Sequence, residues 1–137
     1  MVRNSEPDMQ LTEHRNENQL FIRRADATGV RVVDRVYSRS VILNATRLVE
    51  DFAPTRVGEI DAAAIGRILE LQPEVVLLGT GARAEFPAPA LLAEFLKRGI
   101  GVETMDNAAA ARTFNVLVGE GRNAVAVFLV ADRLADS

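Results

Sequence analysis

The sequence has no cysteine, one histidine and one lysine, and each shortage removes a class of function. Without cysteine there is no disulfide framework, no thiolate zinc centre and no thiol nucleophile. His14, the only histidine, sits among charged and amide residues near the N-terminus, a setting for a solvated side chain rather than a general base at a fixed angle. Lys97, the only lysine, ends an apolar helical segment, where the dipole favours a solvated cation. Thr80, Thr104 and Thr113 have no His or Cys near them in sequence, and no Lys stands beside a Ser, so nucleophilic catalysis has no obvious apparatus. A metal site would have to come from Glu103, Asp106 and Glu120 alone, and neither metal nor cofactor is expected.

Charge of one sign is also missing. Sixteen basic residues stand against 19 acidic ones, a formal net charge of -3, so nothing in the balance directs the chain to nucleic acid. The longest apolar run, 124–131, is far shorter than the ~20 residues of a membrane helix, and no apolar stretch follows Met1 as a secretory signal would. The expectation is a cytoplasmic protein with no direct membrane insertion.

What remains is an ordinary core-forming composition. With 137 residues, 48% of them hydrophobic, the chain can bury roughly two-thirds of its unfolded surface. Residues 1–18 alternate charges and amides and are expected to form a disordered tail, 19–131 a single α/β domain, and 132–137 a C-terminal tail. From Gln19, the β-branched runs 20–22, 30–33 and 40–43 are separated by Gly29, Asp34 and Asn44 and read as short strands joined by turns. Residues 47–60, with Pro54 and Gly58, read as an irregular connection. Asp61 then caps a helix over 62–71 that places Ile65, Ile68, Leu69 and Gln72 on one face and stops at Pro73.

Beyond Pro73 the chain alternates strand 75–78, helix 89–98, strand 101–104, helix 107–118 capped by Asp106, and strand 123–130. The run Val75-Val76-Leu77-Leu78 lacks polar alternation, so both its faces are expected to be covered, as in a parallel or mixed sheet.

In such a sheet ligands bind beyond the carboxyl ends of the strands. Two segments fall there, Gly79 to Pro87 and Met105-Asp106-Asn107. Gly79-Thr80-Gly81-Ala82-Arg83-Ala84 matches a tolerated form of the dinucleotide fingerprint, with Glu103 closing the next strand. Pro87 and Pro89 keep the chain out of a helix just after the glycines, against the geometry a pyrophosphate needs, so a close-packed turn is the favoured reading. On the helix from Asn107, Ala110, Phe114, Leu117 and Val118 share a core stripe, while Arg112 and Asn115 point elsewhere, and Arg122 follows a Gly119-Glu120-Gly121 turn. Arg112 and Arg122 either pair with Glu103, Asp106 or Glu120, or join Arg83 and the amides of Thr80 and Gly81 in an anion pocket.

Taken together, Tyr37-Ser38-x-Ser40, Pro73 through Gly81, Gly99-Ile100-Gly101-Val102-Glu103, and Met105-Asp106 with Thr113-Phe114-Asn115 and Glu120-Gly121-Arg122 resemble a small family of uncharacterised α/β domains. That family includes a mitochondrial assembly factor of respiratory complex I and an adipogenesis-associated protein. The resemblance implies a three-layer α/β fold with a central mixed, mostly parallel sheet, helices packed on it and an associated N-terminal β-hairpin. It also implies no established enzymatic activity, and a role in binding proteins during assembly of a membrane complex. This sequence departs from the pattern with Asn107 where Thr is frequent and Ala111 where Cys occurs.

The expected function is therefore a non-catalytic, assembly-factor-like protein-binding domain, with a crevice formed by Gly79, Thr80, Gly81, Arg83, Asp106, Arg112, Asn115 and Arg122. The alternative is a small enzyme or binder of an anionic metabolite or nucleotide using the Gly79–Arg83 and Arg112 side of that crevice.

Overall fold

A computed structural model describes residues 19–131, and the expected tails lie outside the described residues. The chain forms strands β1 (Ile22–Asp26), β2 (Gly29–Val32), β3 (Arg35–Tyr37), β4 (Val41–Leu43) and β5 (Leu48–Val49). These are followed by a 3-10 turn at Val57–Glu59, helix α1 (Ala62–Leu69), β6 (Val75–Gly79), α2 (Pro89–Leu96), β7 (Gly101–Met105), α3 (Asn107–Gly119) and β8 (Ala124–Phe128).

Two sheets result. The larger has the order β5-β4-β8-β6-β7; β6 runs parallel to both β7 and β8, while β4 is antiparallel to β8 and β5. Every residue of β6 and β8 is buried, which explains their unbroken apolar sequences. Val75 and Leu77 face one core with Ala124, Ala126 and Phe128, while Val76 and Leu78 face another with Val125 and Val127. Ile65 and Ile68 of α1 and Phe95 of α2 cover the second core, and Ala110, Phe114 and Val118 of α3 cover the first. The small side chains of Ala124, Ala126 and Ala110 let α3 lie close on the sheet.

The smaller sheet is antiparallel, in the order β1-β2-β3, and it shares the first core with α3 through Ile22, Ala25, Val30 and Val32. A bulge in β1 between Ile22 and Arg24 lets residues three apart, Ile22 and Ala25, both face inward, and it leaves Arg23 and Arg24 exposed. The expected hairpin is thus a three-stranded unit, and the central sheet is mixed and mostly parallel: its two parallel pairings run over five residues each, its two antiparallel ones over three and two. The first third of the chain both packs on the central sheet, through β1–β3, and extends it, through β4 and β5. Strands β3 and β5 were hidden in the sequence because each is only two or three residues long and adjoins turn-forming residues.

The helix limits follow local chemistry. Asp61 caps α1 by accepting the Ala64 N–H at 2.9 Å, and α1 ends at Leu69. Gln72 therefore lies past the helix, exposed, with φ 57° ahead of Pro73, rather than on the buried stripe with Ile65 and Ile68. β6 leaves the sheet toward α2 on one face, and β7 leaves toward α3 on the other. Adjacent strands departing to opposite faces define the switch point, just beyond Gly79 and Met105.

Candidate functional site at the carboxyl ends of the parallel strands

Gly79 ends β6 where there is no room for a side chain: a Cβ there would stand 2.5 Å from Oδ1 of Asn107 and 3.0 Å from the carbonyl of Val127. The Gly79 carbonyl accepts the Leu129 N–H at 3.0 Å, prolonging the parallel pairing of β6 with the chain beyond β8. Thr80 then donates its N–H to the Met105 carbonyl, and Gly81, at φ +100°, turns the chain in the left-handed region.

The turn is closed by its own groups. Thr80 Oγ1 donates to the Arg83 carbonyl at 2.6 Å and accepts the Glu85 N–H at 2.9 Å. Asp106 caps α3, its Oδ1 accepting the Ala109 N–H at 2.7 Å. Asn107, fully buried, fills the space between. Its Oδ1 accepts the Gly81 N–H at 3.0 Å, and its Nδ2 donates to the carbonyls of Asp26 and Leu129 at 3.0 and 3.1 Å. Both donor hydrogens and the acceptor are used, so one amide ties together β1, the β6–α2 loop, the end of β8 and the start of α3.

Gly79, Thr80, Gly81, Arg83 and Asp106 thus come together at the strand ends. Asn115, farther along α3, is committed to β1: its Oδ1 accepts the Ile22 N–H at 2.9 Å and its Nδ2 donates to the Ile22 carbonyl at 2.8 Å. Arg112 is exposed and makes neither a hydrogen bond nor an ion pair with a described residue. Arg122 lies at the opposite, amino end of the parallel strands, where its Nε stands 3.3 Å from Oε1 of Glu74. Its partner is Glu74 rather than Glu103, Asp106 or Glu120. The same carboxylate accepts the Asn123 N–H at 2.8 Å, and that bond, with Arg122, holds the Glu74 carboxyl below its ordinary range.

Grooves of 570, 450 and 360 Å³ lie elsewhere, none lined by these residues. Among the described residues no group of three His, Cys, Asp or Glu side chains is placed to hold a metal ion. The helix after the Gly79–Gly81 turn begins only at Pro89, so its N-terminus does not meet the glycines as a dinucleotide fingerprint requires. Asn107 stood in the second candidate segment but outside the expected crevice, and its central part was not foreseen. A polar residue opening the helix after β7, the neighbour of β6 and its glycine turn, was the available signal, but it needed the spatial pairing to be read.

A family model described as a protein of unknown function, DUF498/DUF598, matches residues 22–129. The chain belongs to this family. It is 43% identical over 70 residues to a Danio rerio protein named NADH dehydrogenase (ubiquinone) 1 alpha subcomplex assembly factor 3, over 51% of this chain and 40% of that one. The aligned part is therefore about two-fifths of that relative's length. A Francisella tularensis protein named 13 kDa major membrane protein is 30% identical over 94 residues, 68% of this chain and 76% of its own. The solution structure of a Xanthomonas campestris protein is similar at a TM-score of 0.76 and 38% identity, covering 94% of this chain and 91% of that one. No helix among the described residues is long and apolar enough to cross a membrane.

Proposed function

We propose that this member of the DUF498/DUF598 family is a non-catalytic, assembly-factor-like protein-binding domain. The observation that carries the reading is the filled switch point. The place where an α/β sheet of this order would take a ligand is occupied by the Asn107 amide, and every polar group of that amide is already bonded to the chain itself. The carboxylate of Asp106, the residue before Asn107, is spent on capping α3. What this chain leaves available is surface: Phe86 on the β6–α2 loop and Val116 on α3 are exposed, and the guanidinium groups of Arg83 and Arg112 have no partner among the described residues. The relatives named as assembly factors support a role in building a respiratory membrane complex.

The test is deletion of the gene in its source cell, followed by native electrophoresis of NADH:ubiquinone oxidoreductase. Accumulated subcomplexes and loss of the full complex, restored by the intact gene, are expected. A full complement of assembled enzyme in the deletion strain overturns the reading.

A further inference from the structure

The outward face of the small sheet carries an arrangement that its own stability does not favour. In the antiparallel register Arg24 of β1 lies directly across from Arg31 of β2, and Arg31 across from Val36 of β3. Directly opposed residues on one face have Cβ atoms about 4.5–5.5 Å apart, and like charges so placed repel. Neighbouring arginines have found company: Arg23 donates to the Val33 carbonyl and lies over the Phe21 ring, and Arg35 pairs with Glu50 over the ring of Tyr37. The guanidinium groups of Arg24 and Arg31 have no such partner: among the described residues neither makes a side-chain hydrogen bond or ion pair. Arg24 acts on the Asp26 carboxylate only through its charge, the least of the influences that lower that group, and the carboxylate already accepts from the Thr28 N–H, the Thr28 hydroxyl and the Gly29 N–H. Val36 beside them is 61% exposed.

We infer that this face, Arg24 and Arg31 with Val36 alongside, is a docking surface for an acidic, extended segment of a partner protein. Two guanidinium forks side by side suit two carboxylates, and binding replaces the cross-strand repulsion with charge-assisted hydrogen bonds. The shallow groove of 360 Å³ beside them is too open to enclose a small anion. An anionic bilayer is disfavoured because it responds to summed charge, and Asp26 on the same face subtracts from it. A protein segment instead gains from mixed chemistry, with Val36 for an apolar side chain and Ser38 and Thr28 for polar ones. The inference deepens the protein-binding reading and rests on it.

The test uses the full chain, a fluorescein-labelled peptide of alternating Glu and Val, its Lys-Val counterpart, and phosphatidylglycerol-containing vesicles. The Glu-Val peptide is expected to bind and to weaken with salt, and Arg24→Ser/Arg31→Ser to lose at least tenfold in affinity while melting at the same temperature or higher. Arg31→Ser alone, with a several-fold loss, serves if the double variant does not fold. Undiminished peptide binding by the variants, no binding by the parent chain, or binding to vesicles but not to peptide overturns the inference. In a deletion strain that shows the assembly defect, full rescue by the folded double variant also overturns it and leaves the assembly role standing; absence of any defect strikes the assembly role instead.

Discussion

Asn115 and Ile22 are joined by a pair of hydrogen bonds, 2.9 Å into Oδ1 and 2.8 Å out of Nδ2, so that a side-chain amide on α3 completes the outer edge of β1 as a neighbouring strand would. With Asn107 holding the Asp26 carbonyl, α3 takes up main-chain groups at both ends of β1. The three-stranded sheet is thereby fastened to the body by directional bonds as well as by the buried Ile22, Ala25, Val30 and Val32.

Asn115→Ala should strand the Ile22 N–H and carbonyl and cost about 1–3 kcal/mol, measured by urea unfolding. Asn115→Asp should cost more at neutral pH, because the carboxylate still accepts the N–H but meets the Ile22 carbonyl with a second acceptor. Amide exchange at Ile22 should accelerate in Asn115→Ala, where the N–H loses its acceptor. Unchanged protection there would show that the side-chain bonds contribute nothing to holding β1.

The packing of Gly79 against Asn107 gives a second, coupled expectation. Gly79→Ala introduces a methyl group 2.5 Å from Oδ1 of an amide that three bonds hold in place, with the Val127 carbonyl 3.0 Å away on the other side. Overpacking of this kind costs about 1–3 kcal/mol. Asn107→Ala removes the obstructing oxygen but leaves the Gly81 N–H and the Asp26 and Leu129 carbonyls without their partner. The double variant should therefore lose less than the sum of the two single losses, and a double-mutant cycle by urea denaturation measures the difference. Strict additivity would mean that the two residues do not press on each other.

Much of this was written in the sequence, and the reasons it was not all there are physical. The unbroken apolar runs of β6 and β8 announced a sheet covered on both faces, and Asp61 and Asp106 announced helix starts, because burial and capping are local matters of residue type. Strand β3 was hidden because three residues with an exposed Arg35 and Val36 carry no periodicity to read. Site residues were legible as a set of polar groups near strand ends, but not as partners. Arg122 looked close to Glu120 in sequence, yet β6 and β8 are parallel neighbours, which brings Glu74 and Asn123 together at their amino ends. Asn107 acts on Gly81, Asp26 and Leu129, all distant in sequence, and only sheet order makes them neighbours.

Acid should weaken the fold, and the sign follows from the shifted carboxylates. Glu74 is held below its ordinary 4.5 first by the Asn123 N–H and then by Arg122, and Asp26 below 3.8 by the Thr28 hydroxyl and N–H. A folded-state value below the unfolded one gives stability that is complete above the unfolded value and is lost as pH falls through the folded one. Urea midpoints should thus hold steady from neutrality to about pH 5 and fall below it. Glu74→Gln should flatten part of that fall, since glutamine can still accept the Asn123 N–H but has no proton to bind. A midpoint that rises on acidification would contradict the assignment.

Arg112 and Arg122 should behave as surface residues, each for its own reason. Arg122 shares Glu74 at 3.3 Å with both side chains about half exposed, so Arg122→Met should cost no more than about 1 kcal/mol, the range of a solvated pair. Arg112 has no described partner to lose. Arg112→Met should leave the urea midpoint within about 0.5 kcal/mol of the parent, as an exposed substitution away from caps and pairs does. A buried carboxylate answering Arg112 would instead make the same change cost about 3–5 kcal/mol, because it would leave that charge uncompensated. The two outcomes lie far enough apart for one denaturation curve to choose between them, and a loss of the larger size would mean that α3 is turned differently on the sheet than Asn115 and Ile22 place it.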